Sequence, residues 1–368
     1  LVDLYSSALV ASAIVVSGIV SSRAKISSSI IEVTLGIILA NVLLLKIEGW
    51  LDFIATFGGL TLTFLAGVEV ESRLLRSKAR VSSVIGTLAF LAPLIGELSF
   101  LTLYTDWSWN AKLAASLALT TTSIAVVYAV LTEYGIMRTQ FAKTIVAITF
   151  VNDILTIVGI SLIEPAFNIT TIAFLLTLAI LALIVPRLTN LLIARYGEKV
   201  VEVELRFIFA MLLLVSFFAD EAGMHAVFGA FMLGLIFANT LQRHDRVLAK
   251  MKTVTFTLLS PAFFIRAGML ISINAVTQNI LIVLMLLLVK ILSKFAGCYM
   301  LCRRWLPEAP TFSTLLLSTG LTVGTITATI GRDLGFLTQE QFSITVIAVI
   351  LSAVVPTIIA KRFVPKNV

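Results

Sequence analysis

Apolar residues run along this chain in long, nearly unbroken stretches separated by short polar links. An α-helix needs about 20 mostly apolar residues to cross a bilayer. Reading with that window predicts thirteen helices, at roughly 3–22, 28–46, 50–69, 81–104, 111–132, 140–163, 169–194, 205–220, 223–241, 252–271, 276–302, 311–331 and 339–360. The eighth and ninth are short and joined by Asp220-Glu221-Ala222-Gly223. The expected fold class is an all-α polytopic membrane protein with about 13 transmembrane helices.

Charge placement sharpens this picture. The links after the odd-numbered stretches carry the basic clusters: Arg23 and Lys25, Arg73 to Arg80, Arg138 and Lys143, Arg195 to Arg206, Arg243 to Lys252, and Arg303-Arg304. Lys361, Arg362 and Lys366 follow the last stretch, whereas the opposite links hold only Lys46, Lys112, Arg332 and Arg266. Basic loops mark the cytoplasmic side, so the N-terminus is expected outside and the C-terminus inside, in a prokaryotic-type plasma membrane. A miscounted helix would break this alternation.

Composition agrees. Of 368 residues, 59% are hydrophobic and 13% charged, with mean hydropathy +1.06; a soluble domain carries about a quarter charged residues. This argues for one membrane domain and against two soluble ones. The net charge of +7 belongs to the links, so it marks orientation and not a nucleic-acid face. Cys298 and Cys302, the only cysteines, lie four apart on one helix and read as packing residues. The first apolar run reads as a mature helix and not a cleavable signal, and any regulatory module is expected either on a separate chain or in a segment outside this sequence.

A weak internal symmetry is visible. The fifth stretch holds Thr120-Thr121-Thr122-Ser123 at its centre, and the twelfth holds Ser318-Thr319-Gly320 followed by Thr322, Gly324 and Thr325. They are seven stretches apart, so they cross in opposite directions. Stretches 4–6 and 11–13 then form inverted repeats, each with a helix-weakening centre where a substrate site would lie. Unwound backbone is tolerated at that depth only inside protein or along a wet cavity. The alternative is that these small polar residues simply pack helices together.

The intramembrane charges carry the chemistry. An ionisable group at the centre of a membrane helix costs roughly 2.5–3.5 kcal/mol on insertion scales. Asp153 stands in Thr149-Phe150-Val151-Asn152-Asp153-Ile154, about 20 Å from the cytoplasmic end of its helix at 1.5 Å per residue. A carboxylate there can hold a proton or a small cation but not both, which is the chemistry of exchange; otherwise it is a protonated group hydrogen-bonded between helices. Thr149 lies on the same helical face with a hydroxyl to offer, and Asn152 supplies an amide oxygen. Lys290 and Lys294 lie one turn apart in the eleventh stretch, where either pairs with a core carboxylate or snorkels to the interface. Arg266 reads as an interfacial anchor or gating residue. Glu69 reads as a cytoplasmic funnel residue and Glu71 as an interfacial salt-bridge partner. Glu32 and Glu97 are intramembrane with no partner assignable from sequence. His225 and His244 are too few for a metal site, and no cofactor is expected.

These motifs together resemble the Kef/NapA branch of the monovalent cation:proton antiporter superfamily, over nearly the whole chain. Phe64-Leu65-Ala66-Gly67-Val68-Glu69 is similar to that family's third-helix ending, and Thr122-Ser123 to the polar pair of its first unwound helix. Asn152-Asp153 resembles the paired motif whose second Asp carries the ion. Lys294-Phe295-Ala296-Gly297 resembles the Lys-x-x-Gly of the helix bearing its core lysine, and Ser318-Thr319-Gly320-Leu321-Thr322 falls at the second unwound helix.

The resemblance implies two crossed unwound helices and a homodimer in the lipid bilayer. It implies a dimerisation part at about 1–70 and 203–271, a linker helix at about 168–195, and a moving core at about 81–163 and 276–362. The core would carry Asp153 between aqueous funnels in elevator fashion, with Thr122, Ser123, Thr149 and Asn152 around the monovalent cation. Ser318 and Thr319 would take part in gating. Electrogenic members have Asp-Asp where this chain has Asn152-Asp153, so the expected exchange is electroneutral, one cation for one proton. Animal-type exchangers that share Asn-Asp have a Glu four residues before the Asn, where this chain has Ile148. Na⁺ and K⁺ both suit oxygen ligands. The competing reading is a sodium-coupled organic-anion symporter of the bile-acid type; an enzyme is not expected, since Asp153 lacks a second facing Asp.

Overall fold

A computed structural model describes residues 4–24, 27–69, 79–137, 139–163, 169–196 and 202–365. Among them the regular structure is entirely helical. In chain order the α-helices are α1 (Leu4–Ala24), α2 (Ser28–Asn41), α3 (Gly49–Val68), α4 (Ala79–Tyr104), α5 (Trp109–Thr120), α6 (Ile124–Glu133), α7 (Gln140–Ser161), α8 (Ile169–Tyr196), α9 (Val203–Glu221), α10 (Ala226–Leu241), α11 (Asp245–Val254), α12 (Ser260–Met269), α13 (Ile273–Gln278), α14 (Ile280–Trp305), α15 (Pro310–Leu317), α16 (Thr322–Asp333) and α17 (Gln339–Ala360).

Each of the thirteen apolar stretches is occupied by helix. Nine helical segments among the described residues are long and apolar enough to cross a membrane, and α2 and α10 are shorter apolar helices. The basic positions Lys25, Arg73, Arg76, Lys78, Arg138, Lys199 and Lys366, together with Glu71, lie outside the described residues.

The structure corrects three boundaries. The second stretch stops being helical at Asn41, although Val42-Leu43-Leu44-Leu45 is as apolar as what precedes it. The Asn41 carboxamide donates to Ile37 O and Ile271 O and accepts from Ile273 N, drawing the chain to a neighbouring turn. Leu44 then adopts a positive φ of 54°, a conformation helices exclude. The tenth stretch starts earlier, at Asp245, and passes through one π-turn at Thr255–Leu259 before α12. The eleventh is divided into α13 and α14 at Asn279. The fifth and twelfth are each broken in two, as their polar centres predict.

Local sequence explains the clean helix starts. Ser108, Thr139 and Thr338 each accept a backbone N–H of the first turn, and Thr338 with Gln341 forms a full capping box. These caps matter in a membrane protein because the first-turn donors at a helix end have no intrahelical partner.

The described residues fall into two compact units. One comprises 1–18, 47–72 and 164–266; the other comprises 19–46, 73–163 and 267–368. In the first unit α3 packs along α10. Polar ties at its helix ends join Asp52 to Arg266, Glu69 to Lys252 and Glu202 to Lys250. The Lys250 ammonium hydrogen-bonded to Glu202 holds that carboxyl below the usual carboxylate range. In the same unit, α8 presents Ile169, Leu176, Ile180, Leu183 and Leu191 outward, as a helix against hydrocarbon does.

In the second unit α4 packs on both α14 and α7, and α5 packs on α16. A continuous apolar cluster around Ile145, Ile148, Phe312 and Leu316 fills the space between them. This unit contains both broken helices.

Candidate ion-exchange site at two crossed, broken helices

The first break follows Thr120, where α5 ends and the backbone becomes extended at Thr121 (φ −62°, ψ 152°) before α6 begins at Ile124. The second runs from Ser318 to Leu321, between α15 and α16. Each break frees backbone groups that would be costly if left unpaired at membrane depth. They satisfy one another: Ser123 N–H donates to Thr319 O at 2.9 Å. The Thr122 hydroxyl lies 2.7 Å from Leu317 O and 2.9 Å from Asn152 Oδ1, and its single proton serves one of them at a time.

Close approach at the crossing requires glycine. A Cβ on Gly324 would lie 2.8 Å from Ala118 O and 2.8 Å from Thr121 Oγ1, and one on Gly320 would collide with the Lys290 ammonium.

Beside the first break, α7 presents Asn152 and Asp153, which are 0% and 6% exposed. Asn152 Nδ2 donates to Thr120 O at 3.2 Å. From α14, the Lys294 ammonium donates to Thr120 O at 2.8 Å, Thr122 Oγ1 at 3.1 Å and Asn152 Oδ1 at 3.2 Å. All three of its donors are therefore used. Asp153 is the neighbouring carboxylate, and its charge reaches both Lys294 and Lys290. Lys290, one turn along α14 and fully buried, donates to Ser352 Oγ of α17 at 2.9 Å. Neither lysine snorkels.

The remaining expected residues separate into two groups. Thr149 is buried one turn before Asp153, with its hydroxyl bonded back to Ile145 O at 3.1 Å. Ser318 and Thr319 lie at the second break, but their hydroxyls bond to Thr314 O and Leu316 O of their own helix. Backbone, not side chain, is what that break presents to the first. Glu69 and Arg266 belong to the other unit, where Glu69 meets Lys252 at 2.6 Å and Arg266 meets Asp52 at 2.6 Å.

Sequence reading missed three participants. Thr120 contributes its carbonyl, which no residue-type argument could single out. Thr156 shares a hydroxyl contact with Thr120 at 2.9 Å, and it follows Asn152 by one turn. Ser352 is a lone polar residue in the apolar run Ile350-Leu351-Ser352-Ala353-Val354, which is a signal that could have flagged it.

Two broken helices bonded at their centres, inside an apolar all-helical chain and beside buried charges, define an integral multi-pass membrane protein of the transporter class. Residues 10–366 match the family described as sodium/hydrogen exchanger, transmembrane, and the chain belongs to that family. Among curated relatives, the probable Na⁺/H⁺ antiporter 3 of Methanocaldococcus jannaschii is 24% identical over 337 residues, covering 88% of this chain and 86% of the relative. The Na⁺/H⁺ antiporter of Enterococcus hirae is 25% identical over 382 residues, covering 94% of each. Among solved structures, the sodium proton antiporter MjNhaP1 of M. jannaschii at pH 8 superposes with a TM-score of 0.71. That match is 17% identical and covers 97% of this chain and 96% of that one, so the inverted-repeat antiporter fold is shared.

Proposed function

We propose that this chain exchanges Na⁺ for protons across a membrane, one for one, with Asp153 carrying either ion in turn. The observation that carries this reading is the division of labour on α7. Lys294 is bonded to the Asn152 amide and the Thr120–Thr122 break, so the neighbouring carboxylate is the group that can alternate between ions. A carboxylate binds H⁺ and a hard monovalent cation through the same oxygens, and the two compete. Hydroxyl and carbonyl oxygens at the break complete an oxygen-rich surrounding of the type alkali cations need. K⁺ is a second candidate cargo.

With an amide partnering Lys294, the site cycles between a neutral protonated state and a neutral cation-loaded state. That supports electroneutral exchange. The Asn152–Lys294 bond is what the Kef/NapA resemblance leads one to expect at this position, with the amide replacing that branch's first Asp. We further read the unit holding the site as the moving core of an elevator, the other as a dimerisation scaffold, and the basic links as cytoplasmic. The family match favours antiport over organic-anion symport, and the M. jannaschii and E. hirae relatives are named as antiporters.

The test is pH-gradient dissipation in proteoliposomes with Na⁺, K⁺, Li⁺ or choline, using wild type and Asp153→Asn. Dissipation by Na⁺ but not choline, lost in a correctly folded variant, is expected. Near-normal exchange by Asp153→Asn would remove Asp153 as carrier. Repeating the wild-type assay under an imposed potential should leave the rate unchanged; a clear voltage dependence would overturn the one-for-one stoichiometry.

A further inference from the structure

Glu97 of α4 is 0% exposed, and neither of its carboxyl oxygens has a hydrogen-bond partner among the described residues. It is not on a loose surface. Its neighbour Gly96 lies so close to α14 that an added methyl would collide with the Ser293 hydroxyl, with Val289 Cγ1 at 3.4 Å. That contact sets Glu97 level with the turn of α14 that bears Lys290. Lys290 is also 0% exposed, and one of its three N–H groups is used by Ser352 Oγ. Among the described residues, the charged groups acting on Lys290 are Lys294 on its own helix, Glu97 on α4 and Asp153 on α7, and Lys290 acts in turn on Glu97. Lys294 is in turn acted on by Asp153 and by Cys298, one turn along α14.

A carboxylate this deep whose oxygens have no hydrogen-bond partner among the described residues is too costly to exist alone. It can be compensated in only two ways, by a proton on its own oxygen or by an ammonium at Lys290. We propose that Glu97 is a second proton-binding group of the transport unit, coupled through Lys290 to the cation site at Asp153. On deprotonation the carboxylic acid loses its proton to water, and the charge left behind is matched by the ammonium. The proposal rests on the reading of Asp153 as the ion carrier. Asp153 binds the transported ion, whereas the Glu97–Lys290 pair sets the electrostatic potential in which it does so.

Two substitutions should then move the pH profile of exchange in opposite directions. Glu97→Gln leaves the Lys290 charge without its counter-charge, which favours an unprotonated Asp153. Half-maximal exchange should shift toward acid by about half to one pH unit. Lys290→Gln removes the positive charge and should shift it toward alkali by a similar amount, and Glu97→Asp should restore the wild-type profile. A merely structural role would lower the rate without opposed shifts. Unchanged profiles in both variants, shifts of the same sign, or loss of exchange at all pH values in a folded Glu97→Gln protein would each overturn the proposal.

A second measurement does not depend on transport. Infrared titration of purified Asp153→Asn protein should show a carboxylic-acid band that varies with pH and disappears in the Asp153→Asn/Glu97→Gln double variant. If the double variant does not fold, Asp153→Asn/Glu97→Asp should instead move that band. A titration identical with and without Glu97 overturns the inference. Exchange that survives Asp153→Asn would defeat the carrier reading instead, and would do so whatever Glu97 does.

Discussion

The two broken helices resemble each other in sequence yet contribute to the site by different means. The α5–α6 break turns side chains inward: Thr122 Oγ1 reaches Leu317 O, Asn152 and Lys294, while Thr120 adds its carbonyl. The α15–α16 break folds its hydroxyls back on its own helix and offers backbone, with Thr319 O taking Ser123 N–H and Gly320 lying against Lys290. One repeat supplies chemistry adjustable by side chain, and the other supplies a fixed carbonyl surface. The rule that unsatisfied backbone is not tolerated at membrane depth is met partly across the pair, by Ser123 N–H on Thr319 O, and partly within a repeat, by Asn152 Nδ2 on Thr120 O.

The comparison can be broken most severely at Gly320. Gly320→Ala forces a methyl into the space of the Lys290 ammonium, with Thr121 Oγ1 only 2.8 Å away. An overpacking cost of about 1–3 kcal/mol is expected, seen as a lower Tm in detergent and lost exchange. A wild-type Tm would show that the second break yields and is not a fixed surface. A smaller effect is expected at Thr122. Thr122→Val preserves shape but removes the hydroxyl that joins Leu317 O to Lys294. Exchange should fall about tenfold, the equivalent of about 1.4 kcal/mol in the barrier, with the fold retained. The smallest effect belongs to Thr319→Ala. Among the described residues its hydroxyl bonds only to Leu316 O, so the cost should be under about 1 kcal/mol and exchange should stay near wild type. If Thr319→Ala were as damaging as Thr122→Val, the two breaks would be chemically equivalent after all.

α14 shows a similar contrast over a single turn. Lys294 is surrounded by neutral oxygens at Thr120, Thr122 and Asn152, whereas Lys290 has one hydroxyl and the field of Glu97. Both lysines stood out in the sequence because an ammonium in the run Leu286-Leu287-Leu288-Val289-Lys290-Ile291-Leu292 is expensive in hydrocarbon. Their different environments did not. Which face of α14 meets α4 and which meets the breaks depends on helix packing, and Lys-Ile-Leu-Ser-Lys reads alike either way.

Much of the fold was legible because the bilayer is a severe solvent. It demands long apolar helices and excludes charge from their centres, so apolar run length located the helices and Asp153, Lys290, Lys294 and Glu97 announced themselves. The polar centres of the fifth and twelfth stretches foretold the two breaks for the same reason. Hydropathy failed where a specific hydrogen bond outweighed it, as at Asn41, whose carboxamide ends a helix that Val42-Leu43-Leu44-Leu45 would have continued.

What the chain's own sequence determined is therefore the set of helices, their weak points and the costly residues within them, each a property of one local segment and its solvent. What only the tertiary structure decided is partnership. The Ser123–Thr319 bond joins residues 196 apart, and Lys294 finds the Thr120 carbonyl 174 residues away. Such contacts use backbone groups that every residue carries alike, and only the crossing of packed helices selects which of them meet.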